Sequence, residues 1–355
     1  MRIKLLPLAL FAVLSITSVA VAQNSAAALA SLPEADAIIY VSPQRILNEA
    51  APRVMAPAEL TKMRASFAEM KKSAGVDPSG IEYLVLAVRF NKPAADLSFI
   101  APDVMAVVGG DFSSDSLMTL GQLYLQDKAR VEKHGSKSIT VLKLSDLGVS
   151  EIAKMPMLKS YEEVGIVPLS ANSIAIGNLS YLKAAVDAAD GNGRISATTI
   201  ESLLRDPNVL AAATGAPLGA FAKSFGLMGL ENTARESRCN TPFGNFYSAV
   251  TMTGTNFSLR GAMNADNPDT AKIINNLLSG LMQQGISAIP DKEAQTILKT
   301  LKMSARENEV IWEADIPEKV VADMIKSTPK DPAATSAPKR PASTPRRPVR
   351  KKPGI

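Results

Sequence analysis

Short apolar runs rich in Val, Ile and Tyr alternate along this chain with helical stretches and tight turns, and that alternation limits the folds open to it. Ala37 to Val41 is a β-rich apolar run, the pattern of a buried strand. Ile81 to Phe90 is another, too continuous for one face to be wet, and Val104 to Val108 is a third. Between the first two, Pro43 opens a helical stretch. Leu60, Met63, Phe67 and Met70 then fall at helical spacing, with Lys62, Arg64, Lys71 and Lys72 on other faces. Gly75 ends that helix and Asp77-Pro78-Ser79-Gly80 is a turn.

A local grammar then repeats. Residues 104–144 give a strand, a helix from about Ser116 to Gln126 capped within Asp111–Asp115, and a hairpin through Lys133-His134-Gly135-Ser136 into Ile139–Leu144. Residues 257–315 give a strand, a long helix opened by Asn267-Pro268-Asp269, and a hairpin over Ser304–Ala314 turning at Glu307-Asn308. The apolar side of that long helix reads as Ile273, Ile274, Leu277, Leu278 and Leu281. Between the two units lie strands at Val164–Pro168 and Ser173–Ile176 and a helix over Leu179–Ala189. Thr198-x-x-Glu201 then reads as a capping box. Strands flank Thr253-Gly254-Thr255, and Pro317 opens a last short helix. Hairpins mixed with helices indicate α+β, a mostly antiparallel sheet with helices packed on it. The repeat allows two similar halves, divided as 32–150 and 151–326. With 355 residues and 46% hydrophobic content, the chain can build a sizeable core.

The two ends differ from this body. Arg2 and Lys4 precede an apolar stretch from Leu5 to Ala22 that closes on Ala20-Val21-Ala22. That order is a secretory signal over 1–22, with cleavage near Ala22 and a mature start at Gln23. Residues 23–31 read as an Ala/Ser spacer. No later run reaches about 18 uninterrupted apolar residues, so no transmembrane span is expected after cleavage. Residues 327–355 are rich in Pro, Ala, Ser, Lys and Arg, a composition expected to stay disordered. They hold Lys330, Lys339, Arg340, Arg346, Arg347, Arg350, Lys351 and Lys352 against Asp331, a net +7. Arg2 and Lys4 account for two more of the formal charge of +5, which leaves 23–326 at −4. A mildly acidic body with a basic tail argues against a nucleic-acid-binding face on the folded part. The expected site of protein function is periplasmic or extracellular.

Catalytic residue types are scarce. The chain has one Cys, Cys239, and one His, His134, so an internal disulfide is excluded, and the lack of a second His or a nearby acidic cluster argues against zinc coordination. No Gly-x-Ser-x-Gly elbow, P-loop, Rossmann glycine set or Cys-x-x-Cys occurs. His134 reads as a solvated turn residue and Cys239 as an incidental thiol. Glu162-Glu163 reads as a solvated strand edge, because neighbours on a strand face opposite ways. No cofactor and no catalytic residue are assigned. The nearest match to a metal site is Asp190-Gly191-Asn192-Gly193-Arg194-Ile195, which resembles the middle of an EF-hand loop. Asp190 and Asn192 match inner oxygen ligands and Gly193 the sharp turn. Ala188 and Thr199 stand where the end carboxylates belong, so a turn between helices is the stronger reading.

Leu32-Pro33-Glu34-Ala35-Asp36-Ala37 and Gly177-Asn178-Leu179-Ser180-Tyr181-Leu182-Lys183-Ala184-Ala185 resemble segments of bacterial secreted proteins grouped as a domain of unknown function. That resemblance implies an α+β envelope protein over most of 32–326, and carries no activity or ligand. Three functional readings follow. The first is a non-enzymatic envelope or periplasmic protein. Its tail, through Lys339, Arg340, Arg346, Arg347, Arg350, Lys351 and Lys352, would contact lipid head groups or anionic polymers. The second is a binder of a small apolar ligand held between two halves, which calls for a cavity above about 300 Å³. The third is a carboxylate-dependent hydrolase, which needs two acids converging in a cleft.

Overall fold

The computed structural model describes residues 29–74, 77–90, 102–125, 128–147, 161–206, 208–215, 243–288, 295 and 299–327. Leader residues 1–22, Cys239 and every cation of the expected tail lie outside them. The described strands are β1 (Ala37–Val41), β2 (Ile81–Arg89), β3 (Asp103–Gly110), β4 (Ala129–His134), β5 (Lys137–Lys143) and β6 (Glu163–Ser170). They continue as β7 (Ser173–Gly177), β8 (Val209–Gly215), β9 (Phe243–Thr253), β10 (Asn256–Ala265), β11 (Lys302–Arg306) and β12 (Glu309–Pro317). All twelve join one sheet in the order β11-β12-β10-β9-β8-β1-β2-β3-β7-β6-β5-β4, with every neighbouring pair antiparallel. The longer helices are α1 (Pro57–Ala74), α2 (Ser114–Leu125), α3 (Leu179–Ala189), α4 (Ala197–Leu203), α5 (Pro268–Ala288) and α6 (Glu318–Ser327). The fold is therefore α+β with an antiparallel sheet, as the hairpin-and-helix pattern indicated.

The sheet is laid out about its centre, where β1 pairs with β8 and Ile39 lies opposite Ala213. On one side follow β2, β3, the hairpin β7–β6, then β5 and edge strand β4; on the other follow β9, β10, β12 and edge strand β11. Leaving out β6 and β7, the two sides match element for element, and α2 corresponds to α5. One cross-strand row makes the match residue by residue. From Ile39 it runs through Leu86, Ala106, Ile176, Ile166 and Thr140 to Val131. From Ala213 it runs through Ser248, Gly261 and Trp312 to Met303. Both terminal hairpins turn in two residues, at Gly135-Ser136 (φ +53° at Gly135) and Glu307-Asn308 (φ +49° at Glu307). Counted from either turn, Thr140 and Trp312 both stand in the fourth pair.

Residues of a cross-strand row share one face of a sheet. The opposite face carries Ile38, Tyr40, Tyr83, Val85, Met105, Val107, Ile139, Val141, Val167 and Ala175, and is covered by Tyr181, Leu182, Ala185 and Val186 of α3 and Leu203 of α4. Each such aliphatic side chain contributes about 1.5–3 kcal/mol by leaving water. Leu29, placed by sequence in the spacer, is 1% exposed and belongs to this core with Leu32. The row's own face is covered by α2 over β5–β7. Elsewhere on it, Ile274 and Leu278 of α5 pack on Met263, Phe246 and Trp312. Ala50, Val54 and α6 pack beside Phe257.

Two local expectations change. The cap of α4 is Ser196, whose hydroxyl accepts from the Thr199 backbone N–H at 3.2 Å, rather than Thr198. The apolar side of α5 is wider than its buried stripe. Ala271 and Ile274 are buried, but Ile273 is 67% exposed, because a helix lying on a flat sheet buries only the narrow arc facing it.

Candidate functional site

The sequence-derived candidates fall at structural joints. Asp190 and Asn192 lie in the turn that ends α3, with Gly191 and Gly193 at positive φ. The Arg194 guanidinium donates to the Ala188 and Ala189 carbonyls at 2.8 and 3.2 Å, closing the helix end with a cation. The Asp190 carboxylate accepts from the Ser136 hydroxyl at 3.0 Å, which ties the β4–β5 turn to α3. Beside it, His134 Nε2 lies 2.9 Å from Asp187 Oδ1, so His134 is a half-buried contact between hairpin and helix rather than a free turn residue. Among the described residues no group of three or more His, Cys, Asp or Glu side chains is placed to hold a metal. Glu163 accepts from Arg130 at 2.7 Å on the sheet surface.

The perturbed acids are also local. Hydrogen bonds from Ser79 and from Lys71 hold Asp77 down at about 2. Burial pushes Glu82 up, and the charge of Asp111 adds to the rise; both are held by their immediate surroundings. Asp103 is buried, accepts from Arg89 at 2.6 Å and from Ser180 at 3.0 Å, and fixes the start of α3 through Asn178. Arg89 also lies 4.6 Å from the centre of the Tyr181 ring.

A site of different character lies beneath α2. Ser113 caps this helix by accepting from the Ser116 N–H at 3.2 Å. Buried Ser114 donates to the Ser170 carbonyl at 2.6 Å, and its own N–H reaches Ala171 O at 2.9 Å. These bonds pin the first turn to the β6–β7 corner. Leu117, Met118, Gly121 and Leu125, one face of the helix by spacing, then pass over Thr140, Ile166, Ile174 and Ile176 of the sheet. Between them is an apolar cavity of about 190 Å³. It is smaller than the 300 Å³ expected of a carrier, and it lies under one helix rather than between two halves.

Two residues give the cavity its chemistry. Thr140 is 2% exposed, and its hydroxyl has no hydrogen-bond partner among the described residues. A buried hydroxyl left unpaired costs about 1–3 kcal/mol. Gly121 forms part of the roof, and a Cβ built on it would meet nothing within 4 Å. A glycine inside a helix costs about 0.5–1 kcal/mol relative to alanine, and here no steric contact requires it. Sequence reasoning assigned neither residue; only the register that puts Thr140 under α2 distinguishes it from any other strand threonine.

Fold and site together define an α+β protein with a small apolar pocket beside a buried threonine hydroxyl that has no partner among the described residues. No protein-family model matches the chain, and no curated protein matches it. Among solved structures, crystal form III of TP0453 superposes with a TM-score of 0.43 at 10% identity, covering 84% of this chain and 97% of that one. Crystal form I of TP0453 gives a TM-score of 0.40 at 11% identity, covering 84% and 96%. No helix among the described residues is long and apolar enough to cross a membrane.

Proposed function

We propose that this is an exported, non-enzymatic protein of the cell envelope, whose body holds an apolar group under α2 and whose basic tail contacts anionic envelope material. The cavity carries the reading. Its wall is aliphatic on both sides, with the Thr140 hydroxyl buried behind it. Apolar spaces of about 150 Å³ accept small apolar guests. Filling such a space recovers dispersion contacts that an empty cavity forfeits. The export reading is supported by the order of charge, apolar stretch and small-x-small site over 1–22. The tail reading is supported by eight cations in the last 29 residues beside a body of opposite net charge.

Thermal unfolding of the full chain against a panel of alkanes, fatty acids and small aromatics tests the cavity. A guest that binds only the folded state stabilises it by about 2.7 kcal/mol at a hundredfold excess over Kd, so at least one class should raise Tm in a concentration-dependent way. A Tm unmoved by every class would end the reading. For the tail, flotation with phosphatidylglycerol vesicles compares the full chain with one ending at Ser327. The full chain should float at low salt and be released near ~0.5 M salt, where screening is short-ranged. Equal flotation of both forms would remove the tail from the proposal.

A further inference from the structure

The two sides of the sheet fill the space under their helices differently, and the difference points to the shape of the guest. Under α5 the row position four pairs from the hairpin turn is Trp312. Its indole lies across Gly261, where an added Cβ would come within 2.2 Å of the ring, and packs with Met263, Met303 and Leu278. The indole N–H faces Ser248 Oγ at 3.4 Å. Under α2 the equivalent position is Thr140, which carries no ring and lines the apolar pocket of about 190 Å³. The neighbour also changes, since Ile166 of the extra hairpin stands beside Thr140 in place of a glycine. The space therefore lies above the row, against Gly121 of the helix.

We propose that the cavity under α2 is a seat for a single flat aromatic ring system of about indole size, the external counterpart of the ring that Trp312 supplies on the other side. This rests on the reading of the cavity as a ligand site. A flat ring suits the layer between a helix and a sheet, as Trp312 itself does. Gly121 leaves the roof open where alanine would lower it.

The test is calorimetric titration of the full chain with indole and, as a chain-shaped probe, decanoate. Indole should bind saturably at one site and decanoate should not. Thr140→Trp should fold with a raised Tm and lose indole binding, because the chain then supplies its own ring. Gly121→Leu, which projects a side chain into the same space from the helix, should also lose it and serves if Thr140→Trp does not fold. Gly121→Ala should weaken indole by roughly tenfold, the effect of one misplaced methyl group in a tight pocket. Decanoate binding without indole binding would overturn the ring proposal and leave the apolar site standing. Indole affinity unchanged in both Thr140→Trp and Gly121→Leu would place the guest elsewhere and overturn it. Binding of neither probe would overturn the ring proposal, and with no other class raising Tm the parent reading falls too.

Discussion

Gly121 and Gly261 are both glycines facing the same side of one sheet, and they do opposite things. Gly261 is required by close packing, since any side chain there would strike the Trp312 ring. Gly121 has open space above it and sits in mid-helix, where glycine is the weaker choice. Replacing Gly121 with alanine should raise unfolding stability by about 0.5–1 kcal/mol, measured by urea denaturation at constant m-value. A loss of stability would mean that the roof is already in contact with something. The same comparison shows what was illegible in the sequence. Thr140 reads as one β-branched strand residue among many, and Trp312 as an aromatic in a hairpin. Their equivalence exists only once both hairpins are in register. Asp190 and Asn192 stood out because local spacing is visible in a sequence, whereas the Arg194 guanidinium that closes their turn becomes a partner only through the fold.

At the level of elements, strands and helices with strong local signals were legible. β1 spans Ala37–Val41 and α3 spans Leu179–Ala189, the ranges their composition and period indicate. The β11–β12 turn falls at Glu307-Asn308, as its polar pair suggests. β8 was not anticipated. Its sequence, Val209-Leu210-Ala211-Ala212-Ala213-Thr214-Gly215, is alanine-rich, and alanine has the highest helix propensity. It becomes a strand because β1 and β9 flank it and leave room for small side chains. This is tertiary context overriding local preference. α5 shows the converse. Its apolar residues cover more than one face, and sequence period could not say that Ile273 would point to solvent while Ile274 packs on Met263.

For the whole molecule, the repeated strand–helix–hairpin unit corresponds to a sheet whose two sides run outward from the β1–β8 pair in matching order. The extra hairpin β6–β7 widens one side by two strands, which preserves the direction of every strand beyond it. It also puts Ile166 beside Thr140, so the two sides no longer close over the same core. On one side half-buried Trp312 packs under the helix; on the other the helix covers an apolar pocket beside Thr140, whose hydroxyl has no partner among the described residues. The residues outside the described part supply a charge division readable from sequence alone.

The most direct measurement is a methyl NMR titration of the full chain, labelled at Met and Ile methyl groups, with indole. Saturable shifts are expected at Met118, Ile166, Ile174 and Ile176, with Met263, Met303 and Ile274 around the Trp312 ring unmoved. Shifts at Met263 and Met303 without any at Met118, or no shift at any of these methyls, would contradict the assignment of the α2 cavity as the binding site.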